Sequence, residues 1–425
     1  MTLKIAFIVD DFPSLSQTFV INQIVGLLDR GHQVDIYAET RGNTAKVHQA
    51  ILDYHLLERT YYFTPIPNNL FWRSILGIGV LLNSFFKDPL ITLRSLNFFK
   101  YGLLALSLRL LYTVVPSLNK SYDIIHCQFG TQSFRGMWFR QIHATEAKLI
   151  TIFRGHDISV FVKERGDRVY DRLFNTGDFF LANCDYFRKK AIQLGCNEQK
   201  IIVYRSGLDC DRFIFKPRYF PVDGCIRLAT TGRLVEKKGI EYAIRAVAKQ
   251  AKITPNIEYN IIGDGELKEK LQQLIEKLNI SNIVKILGWK NQRELIEILD
   301  RSHIFIAPSI AAKNGDRDAP INVLKEAMAM GLPVISTYHG GIPELVEDGV
   351  SGFLVPERDA ETLAEKLSYL IDRPEQWEAM GKAGRAFVEA HYNLNKLNDE
   401  LVKIYQQVLT KDTEKHRATL LEPVI

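Results

Sequence analysis

The turn after the first apolar strand, Asp10 to Thr18 (DDFPSLSQT), contains no glycine. A nicotinamide oxidoreductase needs its glycine fingerprint at that place, so the absence argues against that class. Cysteine is scarce and scattered: the five residues at 127, 184, 196, 210 and 225 form no CxxC pair and no evident ligand cluster with histidine. Such a set points to buried thiols in a reducing compartment. Long apolar runs are missing too. In the apolar region 70–118 the longest uncharged stretch, Ser74 to Phe86, is about 13 residues against the ~20 needed to span a bilayer. The opening MTLKIAFIVDDFP lacks a cleavage pattern and reads as a first strand rather than a signal peptide. No short-period repeat or low-complexity tract occurs. The formal charge of +5 is mild; it does not demand nucleic acid and suits an anionic ligand or a membrane surface.

What is present is an α/β rhythm, twice over. A chain of 425 residues is too long for one ordinary core and predicts two domains of about 200 residues each. Leu3 to Val9 reads as a strand, Ser16 to Leu28 as a helix stopped by Gly31, and Val34 to Ala38 as the next strand. The polar turn between them, with Ser16 and Gln17, sits at a strand's C-terminal end. Ligands bind there in open parallel sheets, although Ser16 could equally be a plain helix cap. Further strands are expected at 123–129, 149–153, 179–182 and 201–204. Their ends carry His126 and Gln128, then Arg154, His156 and Asp157, then Asn183 and Asp185, then Arg205 and Ser206. A lone histidine is usually structural, but four polar strand ends in one sheet favour a ligand crevice.

Residues 70–118 interrupt this pattern with Leu, Phe and Ile studded by Arg73, Lys87, Arg94, Lys100 and Arg109. They are expected either to pack as helices on the domain or to lie as basic, apolar helices in a membrane interface. Residues 206–225 read as a linker. A second doubly wound domain then begins, with strands at 226–231, 257–262 and 283–287 and helices at 240–249, 266–278 and 292–300. The expected boundaries are 1–205, 206–390 and a C-terminal helix and polar tail at 391–425.

The stretch Ile304 to Pro356 is the focus of that second domain. Asp318 stands where a helix is expected to begin, and Glu326 follows eight residues later. On one helix the two carboxylates would lie within about a quarter-turn, about two turns apart. Ala319, Ile321 and Asn322 fall between them as candidate substrate contacts. Downstream, the glycine loop Gly340-Gly341 precedes a further helix and offers backbone N–H groups to an anionic or hydroxyl-rich ligand. Upstream, glycines bracket the turn GRLVEKKG, whose Arg233 and Lys238 could both reach a diphosphate at a helix start. Gly263-Asp264-Gly265-Glu266 follows the next strand, but a lone GxG is weak evidence for a dinucleotide.

The order GRLVEKKG, GDGE, APS with its carboxylate pair, EAMAMGLPVIST, GGIPELV and GFLV resembles the C-terminal domain of family 4 glycosyltransferases. These are retaining enzymes of the GT-B fold, two Rossmann-like doubly wound domains facing across a cleft. In the N-terminal half, FPSLSQTFVINQI, DIIHCQFG, FRGHD and RSGLDCDRF resemble the family's bacterial exopolysaccharide and colanic-acid branch. The resemblance implies transfer of a sugar from a nucleotide-diphosphate sugar to a saccharide acceptor, in one form polyprenyl-linked. It implies that Arg233 and Lys238 hold the diphosphate, Glu326 the ribose and Asp318 the sugar hydroxyls. Gly263, Gly265 and Glu266 join the donor contacts, and Ser16, Gln17, His126 and Gln128 the substrate contacts of the N-terminal domain. The family's frequent histidine falls at Arg154, with His156 two residues on, so either is a candidate for the catalytic contact there. Asp318 takes a place where the family commonly has glutamate. No cofactor and no metal are expected, since Asp318 serves better in the carboxylate pair than in a metal-binding Asp316-x-Asp318. A cytoplasmic location, at the inner face of the plasma membrane if the region 70–118 docks there, is the matching expectation. A nucleotide-sugar epimerase and an inactive membrane-associated scaffold are the alternatives.

Overall fold

The computed structural model describes residues 2–14, 17–42, 48–143 and 146–420. Seven parallel strands form the first sheet: β1 (Lys4–Phe12), β2 (Gln33–Arg41), β3 (Thr60–Tyr62), β4 (Ile124–Cys127), β5 (Lys148–Phe153), β6 (Phe179–Ala182) and β7 (Ile201–Val203). Their spatial order is β3-β2-β1-β4-β5-β6-β7. Six more form the second: β8 (Ile226–Thr231), β9 (Ile257–Ile262), β10 (Val284–Gly288), β11 (Ile304–Ala307), β12 (Val334–Thr337) and β13 (Gly352–Val355), in the order β10-β9-β8-β11-β12-β13. This is the GT-B architecture. The central strands are buried on both faces, which is why residues 5–9 of β1, 149–153 of β5 and 304–307 of β11 read as near-continuous apolar runs rather than alternating ones. β3 escapes a sequence reading because three residues are too short to establish a period.

In each sheet the chain order reverses about the first strand, between β1 and β4 and between β8 and β11. A crevice opens at the C-terminal ends of the strands at such points. Direct contacts join the two domains there. The backbone N–H groups of Asp185 and Tyr186 donate to the Glu344 carboxylate at 2.7 and 2.9 Å. That glutamate sits at the N-terminus of the helix Asp185–Gln193, where a negative charge is favoured.

The last helix, Leu394–Leu420, returns to the first domain, where Leu397, Leu401, Ile404, Tyr405 and Val408 complete the apolar cluster of β1 and the helix Thr18–Asp29. Between β3 and β4, in place of a single crossover helix, the chain forms a set of helices: Leu70–Lys87, Pro89–Ser95, Phe98–Tyr101, Leu103–Leu106 and Arg109–Val114. By length and composition the first of these is apolar enough to cross a membrane, despite Arg73 and Lys87.

Candidate functional site

The expected helix start at Asp318 is not observed. The helix carrying Glu326 runs Asn322–Ala329, and Asp318 lies in the loop before it. Pro320 supplies the reason: the residue before a proline is driven from the helical region toward extended backbone. The two carboxylates therefore do not share a helix, and the quarter-turn geometry does not apply.

Asp318 is instead buried in a charged knot. Its carboxylate accepts from Lys238 Nζ at 2.8 Å and Ser309 Oγ at 2.9 Å, with Lys237 Nζ at 3.4 Å. Lys237 also pairs with Asp316 at 2.9 Å. Burial alone would raise the Asp318 pKa, but Lys238 and Lys237 outweigh it and bring the group down to about 2. Its backbone N–H donates to His339 Nε2 at 3.0 Å, so His339 carries its proton on Nδ1, which faces Glu357 Oε1 at 2.7 Å. Burial lowers the His339 pKa, in keeping with a neutral ring. Gly340, at φ +51°, is pressed so closely on this loop that a Cβ would lie 2.1 Å from the Asp318 carbonyl oxygen. The Gly341 N–H is directed at that same oxygen, 3.4 Å away.

Glu326 differs. It is half-buried and makes no side-chain hydrogen bond or ion pair among the described residues. Burial raises its pKa to about 7, against the opposing pull of Lys325. The Lys325 ammonium points elsewhere, donating to the Ser206 carbonyl at 2.8 Å above the Tyr392 ring. Burial lowers its own pKa to about 7.

The glycine turns of the second domain interlock. Gly263, at φ +146°, would place a Cβ 1.9 Å from the Gly232 carbonyl oxygen. Leu234 N–H donates to the Asp264 carbonyl, and the Gly265 backbone packs on Leu234. Arg233 projects to solvent, without an ion pair among the described residues. Glu266 is exposed and lines a groove of about 690 Å³ with Val235, Gly239 and Tyr242. Ala319 and Asn322 are half-buried, and Ile321 caps the helix start through its backbone.

In the first domain several expected contacts are sealed. His126 and Gln128 are fully buried. The His126 Nδ1 meets Tyr405 Oη of the returning C-terminal helix at 2.6 Å, while burial and then Arg154 press its pKa down to about 3. Arg154 is buried over the Phe19 ring. Its guanidinium donates to the Gln128 carbonyl (3.1 Å), Gln128 Oε1 (2.8 Å) and Ser206 Oγ (3.0 Å). His156 is exposed at the start of a short 3-10 turn. Gln17 is half-buried and donates to Asp11 Oδ1 at 3.3 Å; Ser16 lies outside the described residues.

Lys237 and Lys325 escaped the sequence reading, and Ser206 and Asp157 entered it only as polar strand ends. Lys237 shares Asp318 with Lys238, and the doubled lysine was its only signal. Ser206 joins the domains, its hydroxyl bound by Arg154 and its carbonyl by Lys325. Asp157, buried, gathers the N–H groups of Gly130, Arg154 and Gly155. Lys325 looked like an ordinary helix lysine.

With this geometry in hand, the relatives are informative. Residues 214–387 match the family described as glycosyl transferases group 1, and residues 16–212 match glycosyltransferase family 4. The amylovoran biosynthesis glycosyltransferase AmsK of Erwinia amylovora is 33% identical over 411 residues, 96% of this chain and all of the relative. The putative colanic acid biosynthesis glycosyltransferase WcaL of Escherichia coli K12 is 32% identical over 409 residues, 95% of this chain and all of that one. The fold matches Anabaena Alr3699/HepE, solved in complex with UDP, with a TM-score of 0.70 at 18% identity over 96% of this chain and all of that one. It also matches the lipopolysaccharide outer core galactosyltransferase WaaB at a TM-score of 0.65 and 16% identity, over 95% of this chain and all of that one.

Proposed function

Because the chain belongs to the group 1 and family 4 glycosyltransferases along nearly its whole length, we propose that it moves a sugar, with retention, from a nucleotide-diphosphate sugar to a saccharide acceptor of exopolysaccharide or cell-surface glycan synthesis. The relatives named for amylovoran and colanic acid synthesis support that acceptor class. The observation that carries the reading is Glu326: a half-buried carboxylate without a protein partner among the described residues, on the helix next to the lysine-bound Asp318 loop. A carboxylate so placed is suited to accept hydrogen bonds from ribose hydroxyls. Arg233 is free to meet the diphosphate, and Lys238 can share its charge between that diphosphate and Asp318.

Fixed cations of this kind stabilise the negative charge that grows on the departing nucleotide diphosphate. In the front-face route we adopt, the bond from the anomeric carbon to the phosphate oxygen breaks as the acceptor oxygen bonds to that carbon from the same side. The acceptor's proton passes to the leaving phosphate oxygen. The enzyme works in the cytoplasm, and a polyprenyl-linked acceptor would bring it to the inner face of the plasma membrane.

Thermal-shift screening against UDP-, GDP- and ADP-sugars tests the donor, followed by NMR of the product anomer with the best of them. A stabilising donor should raise the melting free energy by ~2.7 kcal/mol at 100 times Kd. Stabilisation by none of the three would leave an inactive scaffold, and sugar isomerisation without acceptor would make the chain an epimerase.

A further inference from the structure

We infer that the helical insertion between β3 and β4 is a docking surface for an anionic lipid bilayer, seated in the headgroup and upper acyl region. The inference deepens the membrane-face location proposed above and rests on that reading, but not on the transfer chemistry.

The insertion is built inside out. Along the helix Leu70–Lys87 the residues turned inward are Arg73, Gly77 and Ser84. The Arg73 guanidinium donates to the carbonyls of Pro67, Asn68 and Ser107, and Tyr112 Oη donates to the Arg73 carbonyl at 3.0 Å. Gly77 lets the helix approach so closely that a Cβ there would lie 2.5 Å from Leu108 Cδ1. The outward face carries Leu70, Phe71, Trp72, Leu76, Ile78 and Phe86, each more than half exposed. The following short helices continue it, with Phe99 at 99% and Leu103 at 79% exposure. A water-facing helix has the opposite arrangement, and so large a contiguous apolar patch marks an interaction surface.

Charge selects the occupant. From Leu70 to Val114 the cations are Arg73, Lys87, Arg94, Lys100 and Arg109, and the one acid is Asp88. The Asp88 carboxylate is spent on the N–H groups of Ile91 and Asn119. Lys87, Lys100 and Arg109 are exposed and make no ion pair among the described residues. A rim of unpaired cations around an apolar face fits anionic headgroups over acyl chains. It disfavours a second copy of the same face, which would bring like charges together. Spanning is disfavoured because the helix's polar stripe is bonded along the protein.

The full chain would be floated with vesicles of phosphatidylcholine alone or mixed with phosphatidylglycerol, without donor or acceptor. It should float with the mixed vesicles, and Trp72 should be quenched by acyl chains brominated near the headgroup. The exposed substitutions Phe71→Glu, Phe86→Glu and Phe99→Glu together should leave the protein in the dense fraction, with its circular dichroism and its stabilisation by nucleotide sugar unchanged. Lys87→Gln, Lys100→Gln and Arg109→Gln should each weaken partitioning about fivefold. Wild type that stays unbound, or a triple glutamate variant that floats as well, overturns the inference. So does a wild-type dimer that the glutamates dissociate, or vesicle binding that resists alkaline carbonate as a spanning helix would. Wild type that fails to float yet is stabilised by a nucleotide sugar refutes the membrane surface alone; wild type that floats yet is stabilised by none refutes the donor reading alone.

Discussion

Lys238 and Asp318, 80 positions apart in the chain, meet at 2.8 Å from ammonium to carboxylate. The pair joins the cationic turn after β8 to the loop after β11, so the expected diphosphate ligand and the expected sugar ligand form one electrostatic unit. Any donor entering the site must share these charges rather than find them free.

Lys238→Met tests the unit from both sides. The folded Asp318 pKa, about 2, lies below the unfolded value of ~3.9. The group therefore contributes stability that is present above ~pH 4 and lost as pH falls toward 2. Removing Lys238 should move the acid-unfolding midpoint upward in circular dichroism and cost about 1–3 kcal/mol at neutral pH. It should also weaken nucleoside diphosphate binding about 10- to 100-fold, and nucleoside binding far less. Equal losses for the two ligands would deny Lys238 a phosphate role.

Glu326 and Lys325 predict a stability minimum near pH 7. Glu326 is raised to about 7 in the folded state from ~4.3 unfolded, so the chain loses stability as pH rises between those values. Lys325 is lowered to about 7 from ~10.4, so the folded state binds fewer protons than the unfolded between those values, and stability returns as pH rises above 7. Urea midpoints from pH 4 to 10 should trace this dip. Glu326→Gln should remove its lower limb and Lys325→Met its upper limb. Glu326→Gln should also weaken donor binding about tenfold while the fold persists. A monotonic profile in wild type would contradict the burial of the pair.

Strands were legible where apolar residues dominate a short segment between polar turns: Phe179–Ala182 is wholly apolar, and Ile226–Thr231 and Ile257–Ile262 keep their apolar side chains buried around the half-buried Arg227, Glu258 and Asn260. The family motifs located the turn at Arg233–Lys238 and the helix of Glu326. What the sequence hid was long-range. Pro320 displaced Asp318 from its expected helix, a local signal that was visible but outweighed by the carboxylate spacing. His126 looked like a crevice residue because the helix that seals it with Tyr405 comes 279 positions later. The burial of Lys325 depends on the linker carbonyl of Ser206, which no helical periodicity encodes.

Arg154 and His156, two residues apart, should respond in opposite ways. Arg154→Ala leaves the Gln128 carbonyl and amide and the Ser206 hydroxyl without their donor, at a cost of about 3 kcal/mol in a urea melt. His156→Ala changes an exposed side chain and should stay within about 0.5 kcal/mol. If His156 meets the transferred sugar, kcat falls while stability and donor affinity hold. An Arg154→Ala variant as stable as wild type would show that its bonds to Gln128 and Ser206 do not brace the domain junction.

The two glycine turns of the second domain make a sharper claim about how the cationic loop is held. Gly263→Ala puts a methyl carbon 1.9 Å from the Gly232 carbonyl oxygen, a backbone atom that cannot step aside without moving the turn that carries Arg233 and Lys238. Gly349→Ala is the matched control: it has φ +77° with nothing within 4 Å, so only the left-handed backbone penalty of about 1–2 kcal/mol applies. The first substitution should cost more than the second in thermal melts and should also abolish stabilisation by nucleotide sugars, whereas the second should leave that stabilisation intact. If both variants still bind donor equally, the register of the turn does not depend on the Gly232–Gly263 contact, and the placement of Lys238 must come from its bond to Asp318 alone.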